Sequence, residues 1–386
     1  MIANREIIHS IKRLKGKYPI LAITGPRQSG KTTLLKFLFP DYRYVTLENP
    51  DVRAFAENDP NGFLKQYDRY VIFDEVQRVP HLFSYLQGIV DESGIMDQFI
   101  LSGSQNFHLM QRITQSLSGR VVIFKLFPFD IQELKEAGWL KENYLDAMIT
   151  GFYPAIYHRN ISPEVYYKNY IQTYVQRDVS QIIGIKDMLT FQRFIALCAT
   201  RAGQLLSLNA LANECGISQP TAKSWLSALE SSYIVFLLHP FYKNFSKRII
   251  KTPKLYFYDT GLLCHLLKIN DSDGMVNHSV KGAIFENMII AEYLKRAEHQ
   301  YELQTNMWYW RDTAGNEVDL LLERPQQTEI VEIKATQTIM PDLFKGLNYY
   351  SSLENNEDLT KTLVYGGDEY QQRTVARVLP WNNLDV

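Results

Sequence analysis

Short apolar runs separated by helical periodicity make up the first third of the chain. Four runs lie at residues 19–24, 70–75, 98–106 and 121–126, the third ending in small polar residues. Each run is too short for a buried helix and is typical of a buried strand. Residues 32–39, after the first run, have the pattern of a helix. This order predicts an α/β core around a parallel sheet.

Beyond residue 128 the pattern becomes helical. Residues 129–202 are rich in tyrosine and are interrupted by glycine and proline, which predicts a helical lid packed on the core. From Ser207 a short helix, a glycine turn and a second helix after a serine cap predict a helix-turn-helix. Residues 233–239 and 254–258 resemble the two strands of a wing.

The last third predicts a second α/β unit. Residues 285–297 have the pattern of an amphipathic helix. Residues 317–323 and 329–335 predict two strands joined by a turn.

Composition narrows the function classes. The 386 residues allow two or three domains, and the net charge of −1 means that any nucleic-acid contact must be local. Cys198, Cys215 and Cys264 lie far apart, so neither a zinc site nor a disulfide framework is predicted. No signal core or membrane-spanning run is visible. We expect a cytoplasmic, reduced protein without a membrane partner.

One contiguous motif indicates nucleotide binding. It fits G-x-x-x-x-G-K-[ST] at every fixed position and consists of Gly25, Pro26, Arg27, Gln28, Ser29, Gly30, Lys31 and Thr32, followed by Thr33. Its main-chain N–H groups and the following helix end form an anion site. We expect Lys31 to reach the β- and γ-phosphates of ATP and Thr32 to ligate Mg²⁺. The alternative is a Gly/Ser turn before an ordinary helix, and it does not explain why a buried strand comes directly before the motif.

Two acids follow the second apolar run. Asp74 is predicted to complete the Mg²⁺ shell, and Glu75 to polarise an attacking water. This arrangement favours hydrolysis over binding alone. The alternative is a strand that ends in a solvated acidic turn.

The helix-turn-helix region carries a local positive charge. Residues 242–254 contain five cations and no acid, with tyrosine and phenylalanine interleaved: Lys243, Lys247, Arg248, Lys251 and Lys254. Thr221, Lys223 and Ser224 would stand at the front of the second helix. The pattern favours contact with a DNA backbone. A protein interaction module or a merely soluble hairpin are the alternatives.

The C-terminal strands carry an acid, acid and lysine set. Because side chains alternate along a strand, Glu332 and Lys334 share one face. With Asp319 they resemble the PD-(D/E)xK restriction-endonuclease-like superfamily, although Val318 stands where the name has proline. The resemblance implies that Asp319 and Glu332 bind a divalent metal and that Lys334 positions the activated water. It also implies a metal ligand on the upstream helix, Glu286.

The motifs in combination resemble a prokaryotic family of AAA-type ATPases, with affinities to STAND ATPases, that carry a C-terminal domain with nuclease-like motifs. The resemblance implies a P-loop ATPase core at 1–128, a helical lid at 129–202, a winged helix-turn-helix at 203–270 and an α/β nuclease-like domain at 275–386.

The same resemblance implies roles for two further residues. Ser104 would position water near the γ-phosphate, with Ser102 and Gln105 as competitors for that role. Arg120 would act as a finger on a neighbouring subunit's nucleotide, which requires a homo-oligomer. A serine-capped turn and an ion pair near a strand start are the respective alternatives.

Arg177 is a candidate sensor arginine, with an internal ion pair as the favoured alternative.

The sequence therefore predicts an ATPase that uses ATP and Mg²⁺ and couples nucleotide state to a DNA-binding, nuclease-like C-terminal domain. The rival is an ATP-controlled regulatory switch or binding module without nuclease activity. A DNA-binding transcription regulator is a third hypothesis.

Overall fold

The structure is a computed structural model. It describes residues 4–104, 116–179, 184–185, 187–241, 251–300, 306–325, 327–354 and 358–384, with the side chains of residues 176–178 left aside. Two sheets dominate these ranges, with helices and a short hairpin between them.

The first sheet is parallel throughout. Its strands are β1 (Ile20–Thr24), β2 (Arg43–Thr46), β3 (Val71–Asp74), β4 (Phe99–Ser102) and β5 (Val121–Lys125). They lie in the order β2-β3-β4-β1-β5. All residues of β1, β3 and β4 are buried, as expected for a parallel sheet covered on both faces. The predicted parallel α/β core is confirmed.

Helices cover the two faces of this sheet. They are α1 (Ile7–Leu14), α2 (Lys31–Leu38), α3 (Pro50–Asn58), α4 (Pro60–Gln66) and α5 (Leu82–Ser93), with a 3₁₀ turn at Val76–Arg78. Alternate residues of β1 face opposite sides, so Ile20 and Ala22 join the cluster that contains α3, α4 and α5 residues. Leu21 and Ile23 join the cluster with α1 and α2. The carboxyl ends of β1, β4 and β3 consequently meet at one edge.

The next segment is helical, as its periodicity predicts. It contains α6 (Ile131–Glu136), α7 (Tyr144–Thr150), α8 (Pro154–His158), α9 (Pro163–Tyr170), a π-helical stretch at Ile171–Val179 and α10 (Met188–Ala199). Proline opens both α8 and α9, where a missing N–H removes no helical hydrogen bond. The buried tyrosines Tyr153, Tyr166 and Tyr170 pack ring against ring.

A helix pair and a hairpin follow. They are α11 (Leu208–Cys215), α12 (Gln219–Ser231) and the antiparallel strands β6 (Val235–Leu238) and β7 (Lys254–Phe257). Gly216, with a φ of 71°, ends α11, and the Ser218 side chain accepts from Thr221 N at the start of α12. The short helices α13 (Thr260–Leu266) and α14 (Ser272–Val276) lead into the last part.

The second sheet is mixed. The long helix α15 (Lys281–His299) precedes β8 (Asn306–Arg311), β9 (Glu317–Arg324) and β10 (Gln327–Lys334), and a 3₁₀ turn (Pro341–Phe344), α16 (Lys345–Leu353), β11 (Leu359–Tyr365), β12 (Gln371–Gln372) and β13 (Arg377–Pro380) follow. The strand order is β12-β13-β11-β10-β9-β8. β8, β9 and β10 form an antiparallel meander, and β11 pairs parallel to β10.

One large apolar cluster connects these parts. It extends from Phe129 to Leu384 and includes the helical segment, the helix pair, one side of α15 and one face of the second sheet. Because a packed interior resists independent movement of its pieces, these elements form a continuous body in contact with the first sheet.

Within the described ranges, no helix has the length and apolar character that crossing a membrane requires.

Candidate nucleotide site and C-terminal carboxylate cluster

The loop between β1 and α2 has the backbone that its glycines permit. Gly25 has a φ of 141° and Gly30 a φ of 99°, both in the region that side chains disfavour. A Cβ atom on Gly25 would lie 2.1 Å from the carbonyl oxygen of Leu126. Gln28, at a φ of 65°, adds a left-handed turn between them. The loop thus curls over the start of α2, where main-chain N–H groups have no helical partner.

Lys31 is the first residue of α2 and is buried beneath this loop. Its Nζ donates to the carbonyl oxygens of Gly25 at 2.9 Å and Pro26 at 2.8 Å. Burial lowers the pKa of Lys31 to about 8, although the nearby charges of Glu75 and Asp74 oppose this shift. The ammonium group is therefore held inside the loop, and among the described residues it has no direct anionic partner, which a phosphate would supply.

Asp74, at the end of β3, is held by three hydroxyl groups. Thr32 Oγ1 donates to Asp74 Oδ2 at 3.1 Å, and Tyr44 donates to the same oxygen. Ser102 donates to Asp74 Oδ1. Mg²⁺ prefers oxygen ligands such as hydroxyl and carboxylate groups. The Thr32 hydroxyl and the Asp74 carboxylate lie within hydrogen-bond distance of each other. Thr32 and Asp74 thus fit the ion that the sequence predicts.

Glu75 directly follows β3 in a left-handed conformation, with a φ of 55°. Such strain in a residue other than glycine is common at functional sites. Ser104 Oγ donates to Glu75 Oε2 at 3.1 Å, and Gln77 donates to the same oxygen. Ser104 therefore contacts Glu75, whereas Ser102 contacts Asp74. The third competitor, Gln105, lies outside the described residues.

These side chains open onto one cavity of about 550 Å³. That volume suits a small ligand. The loop side is lined by Arg27, Gln28, Gly30, Lys31, Thr32, Thr33, Asp74 and Glu75. The opposite side is lined by five residues that sequence reasoning missed, namely Phe129, Pro154, Ala155, His158 and Arg159. Their sequence shows a Gly-Phe-Tyr-Pro break at the start of α8, but such a break does not predict that the helix lines a ligand cavity.

Arg5 is a further residue that the sequence did not reveal. Its guanidinium donates to Ser29 O at 3.0 Å and Phe127 O at 2.6 Å, and its Nε pairs with Glu133 Oε1 at 2.9 Å. Both partners of the ion pair are buried. Arg5 therefore fixes the phosphate loop to the start of α6.

The two other predicted arginines differ in position. Arg27 lies at the cavity rim, 3.7 Å from Glu48, with 41% of its side chain exposed. Arg120 forms a bidentate pair with Asp91, at 2.5 Å and 2.8 Å, and does not line the cavity. In the single chain Arg120 thus takes the ion-pair role that the sequence left open. The Arg177 side chain is not among those described.

The C-terminal strands bring Asp319, Glu332 and Lys334 together. Asp319 Oδ2 accepts from Ile333 N at 2.8 Å and from Lys334 Nζ at 3.0 Å. Lys334 Nζ also lies 2.6 Å from Glu332 Oε1. Glu332 Oε2 is buried and has no hydrogen-bond partner among the described residues. Burial, and then the charge of Asp319, raise the pKa of Glu332 to about 8.

Glu286 reaches this cluster from α15, but a second lysine comes with it. Glu286 Oε1 accepts from Lys254 Nζ at 3.0 Å and from the Tyr256 hydroxyl at 2.5 Å. Lys254 also pairs with Glu317. The prediction that Lys254 belongs to a solvent-facing basic wing is wrong, because Lys254 is only 2% exposed. The carboxylates of Glu286 and Glu317 bind its ammonium group in the interior.

The cluster does not fit a divalent metal in this arrangement. In the part of the chain that the structure describes, the carboxylate oxygens of Glu286, Asp319 and Glu332 do not converge within 4.8 Å. Two ammonium groups already occupy the space between the acids. Because their charge has the same sign as that of a metal ion, these ammonium groups would repel a divalent cation placed among the acids.

The helix pair exposes Lys223 and Ser224, while Thr221 is half-buried. Lys251 is exposed as well. Three other residues of the predicted basic segment, Lys243, Lys247 and Arg248, lie outside the described residues. A basic surface here stays a prediction.

A parallel sheet with a phosphate loop after β1, and an acidic strand end at β3 beside that loop, defines a P-loop nucleoside-triphosphatase domain. A family model described as an AAA domain matches residues 17–135. Two others, each described as a domain of unknown function (DUF8612 and DUF4143), match residues 141–273 and 281–384. The match supports an AAA-type P-loop ATPase.

The chain is similar along most of its length to two mycobacterial proteins. These are Uncharacterized protein Mb2031c of Mycobacterium bovis and Uncharacterized protein Rv2008c of Mycobacterium tuberculosis, each 29% identical over 377 residues, or 95% of this chain and 81% of the relative. Among solved structures, the Walker-type ATPase paby2304 of Pyrococcus abyssi is 13% identical, with 69% of this chain and 96% of that chain covered at a TM-score of 0.47. The structural likeness is weak, so the class rests on the strand order, the loop and the AAA-domain match.

Proposed function

We propose that this protein is a Mg²⁺-dependent ATPase whose nucleotide state controls its C-terminal domain. One observation carries the ATPase proposal: Lys31, Thr32, Asp74 and Glu75 all line a single cavity. They come from the start of α2 and from the end of β3, which the parallel sheet brings to one edge.

Each residue has a chemical task in this proposal. Lys31 exchanges its two loop carbonyls for phosphate oxygens of ATP. Thr32 and Asp74 would hold Mg²⁺, which neutralises charge on the β- and γ-phosphates when bound. Glu75 orients and polarises the attacking water, and Ser104 holds the Glu75 carboxylate in place.

Arg120 has a task only in an assembly. To reach the nucleotide of a neighbouring subunit, its guanidinium must leave the bidentate pair with Asp91. A finger role for Arg120 thus belongs to a homo-oligomer with that pair broken.

The contacts between the two ends of the chain support coupling. Ser10 Oγ on α1 donates to His299 O at 2.6 Å, and Lys125 Nζ on β5 lies 2.5 Å from Glu298 Oε1. Both acceptors lie at the end of α15, whose beginning carries Glu286. A 19-residue helix is roughly 28 Å long, so α15 connects the ATPase sheet to the carboxylate cluster.

The partner proposed for the C-terminal half is DNA. Exposed Lys223 and Ser224 on α12 and the nuclease-like set of Asp319, Glu332 and Lys334 support this. The rival function, an ATP-controlled switch without cleavage, is favoured by the second lysine inside the cluster.

Two substitutions test the ATPase proposal. Lys31→Ala should abolish ATP binding, because the loop loses its cation. Glu75→Gln should bind ATP with wild-type affinity yet lose about 10²- to 10⁴-fold in turnover, the usual contribution of a general base. Titration calorimetry and phosphate release measure the two effects. Equal turnover by wild type and Glu75→Gln would rule out the assigned base.

A cleavage assay separates the nuclease from the switch. Single-stranded, duplex and branched DNA are incubated with Mg²⁺ or Mn²⁺, with and without ATP. Cleavage that Asp319→Ala and Lys334→Ala each abolish supports the enzyme. Absence of cleavage on every substrate, with ATP-dependent DNA binding retained, supports the switch.

A further inference from the structure

The carboxylate cluster at the second sheet combines four acids with three cations. Glu286, Glu317, Asp319 and Glu332 face Lys254, Lys334 and Arg311, whose guanidinium lies 3.0 Å from Glu317. Two of the cations belong to the second sheet itself. Lys254 comes from β7 of the hairpin, a separate element.

Lys254 is built into its position. Its Nζ lies 3.0 Å from Glu286 Oε1, pairs with Glu317 and stands 5.5 Å from the centre of the Tyr309 ring. The hairpin is anchored to the second sheet nearby, because Phe241 N donates to Tyr309 O at 2.7 Å and Tyr309 N donates to His239 O at 3.1 Å. The side chain therefore enters the cluster as part of a docked element.

One buried carboxylate oxygen in the cluster can still accept a hydrogen bond or a cation. Glu332 Oε2 has no hydrogen-bond partner among the described residues, although Glu332 is only 8% exposed. Gly346 on α16 stands beside it, and a Cβ there would lie 2.9 Å from this oxygen. A buried carboxylate oxygen without a donor is a costly arrangement that a bound cation would relieve.

We propose that Lys254 is a tethered cation that closes the C-terminal carboxylate cluster, and that the cluster accepts a divalent metal only when this ammonium group is removed. Lys254 and a metal then compete for Glu286 and its neighbours. The inference rests on the proposed function in naming how the nuclease-like site is regulated: displacement of the Lys254 ammonium group would open it.

The competition follows from charge and position. With Lys254 present, a divalent ion would approach an ammonium group as well as the acids, and the repulsion offsets the attraction. Without Lys254, Glu286 and Glu317 lose their shared cation while Glu332 Oε2 stays free. The cluster then carries excess negative charge, and its carboxylates, no longer held apart by Lys254, would supply the oxygen ligands that Mg²⁺ or Mn²⁺ requires.

Lys254→Met tests the proposal, with Lys251→Met, an exposed lysine three positions earlier, as the matched control. Mn²⁺ binding is followed by electron paramagnetic resonance on the full chain without nucleotide. We expect Lys254→Met to bind Mn²⁺ roughly tenfold or more tightly than wild type, as removal of a buried like charge predicts. The melting temperature of Lys254→Met should be lower than that of wild type in the presence of a chelator and should rise when Mn²⁺ is added. Lys251→Met should behave as wild type in Mn²⁺ binding and in melting temperature. A folded Lys254→Met variant without this gain would overturn the proposal.

A second measurement does not depend on the folding of that variant. Wild type and Glu332→Gln should bind Mn²⁺ identically without nucleotide, because the closed cluster holds no metal. A wild-type Mn²⁺ site that Glu332→Gln removes would show that a metal fits beside Lys254, and would refute the inference. Both assays omit ATP, so a failure of the ATPase proposal would appear only in the nucleotide titrations.

Discussion

At the scale of single residues, the nucleotide site depends on buried charges that fix one another. Lys31 is held by loop carbonyls, and the loop itself is held by Arg5 through Ser29 O. Arg5 in turn neutralises Glu133, which is almost completely buried. The burial of Glu133 raises its pKa, and the charge of Arg5 opposes that shift. The phosphate loop therefore depends on an ion pair outside the motif that the sequence displays.

Arg5→Met should destabilise the protein by about 3–5 kcal/mol, because removal of one partner leaves Glu133 as an uncompensated buried charge. ATP affinity should also fall, since Ser29 O loses its donor. Chemical unfolding and calorimetric ATP titration measure the two effects. Lys12→Met, an exposed position on α1, the helix that follows Arg5, is the control and should leave both unchanged. If Arg5→Met were as stable as this control, the ion pair would have no structural role.

At the scale of elements, sequence predicts what is local. The strands β1, β3 and β4 are recognisable because each is a contiguous apolar run, and the phosphate loop is a contiguous motif. Contacts between distant parts are not visible in such patterns. Arg5 and Glu133 are 128 positions apart, and Lys254 and Glu286 are 32 apart. A lysine in a basic stretch looks solvated until the sheet that buries it is known.

The helix α15 is the element where this matters most, because it carries charges into the interior. Glu292 accepts from Ile131 N at 3.1 Å with both oxygens and pairs with Arg296 at 3.1 Å. Burial, and then the charge of Asp130, raise the pKa of Glu292 from 4.5 to about 7. The folded chain thus holds a proton that the unfolded chain releases between these pH values.

The stability contributed by this protonation is present below pH 4.5 and is lost as the pH rises through about 7. Glu292→Gln cannot titrate, and its amide oxygen still accepts from Ile131 N. The free energy of unfolding of Glu292→Gln minus that of wild type, measured by chemical unfolding, should therefore increase from pH 5 to pH 8 by up to about 3 kcal/mol. The exposed Glu136→Gln is the control. An unchanged difference at both pH values would contradict the raised pKa.

At the scale of the whole molecule, specific hydrogen bonds join the hairpin region to the first sheet and α15 to the helical segment. Thr24 Oγ1, at the end of β1, lies 2.9 Å from the Tyr233 hydroxyl just before the hairpin. Glu292 bonds α15 to the start of α6. In the proposed coupling, these contacts are the places where nucleotide state would reach the carboxylate cluster, because tightly packed interiors respond to local change by shifting between discrete arrangements.

Hydrogen exchange can locate this coupling. Binding of a non-hydrolysable ATP analogue with Mg²⁺ should slow exchange in residues 25–34, which contact the nucleotide, and should also change exchange in residues 292–299 and 254–257. Lys31→Ala, which cannot bind the analogue, should show no change in any of these segments. The distant changes are expected because the end of α15 is bonded to α1 and β5, and Tyr233 joins β1 to the hairpin that carries Lys254. Protection confined to residues 25–34 would mean that the nucleotide site and the C-terminal sheet share a chain without sharing a conformational equilibrium, and the proposed control of one by the other would then fail.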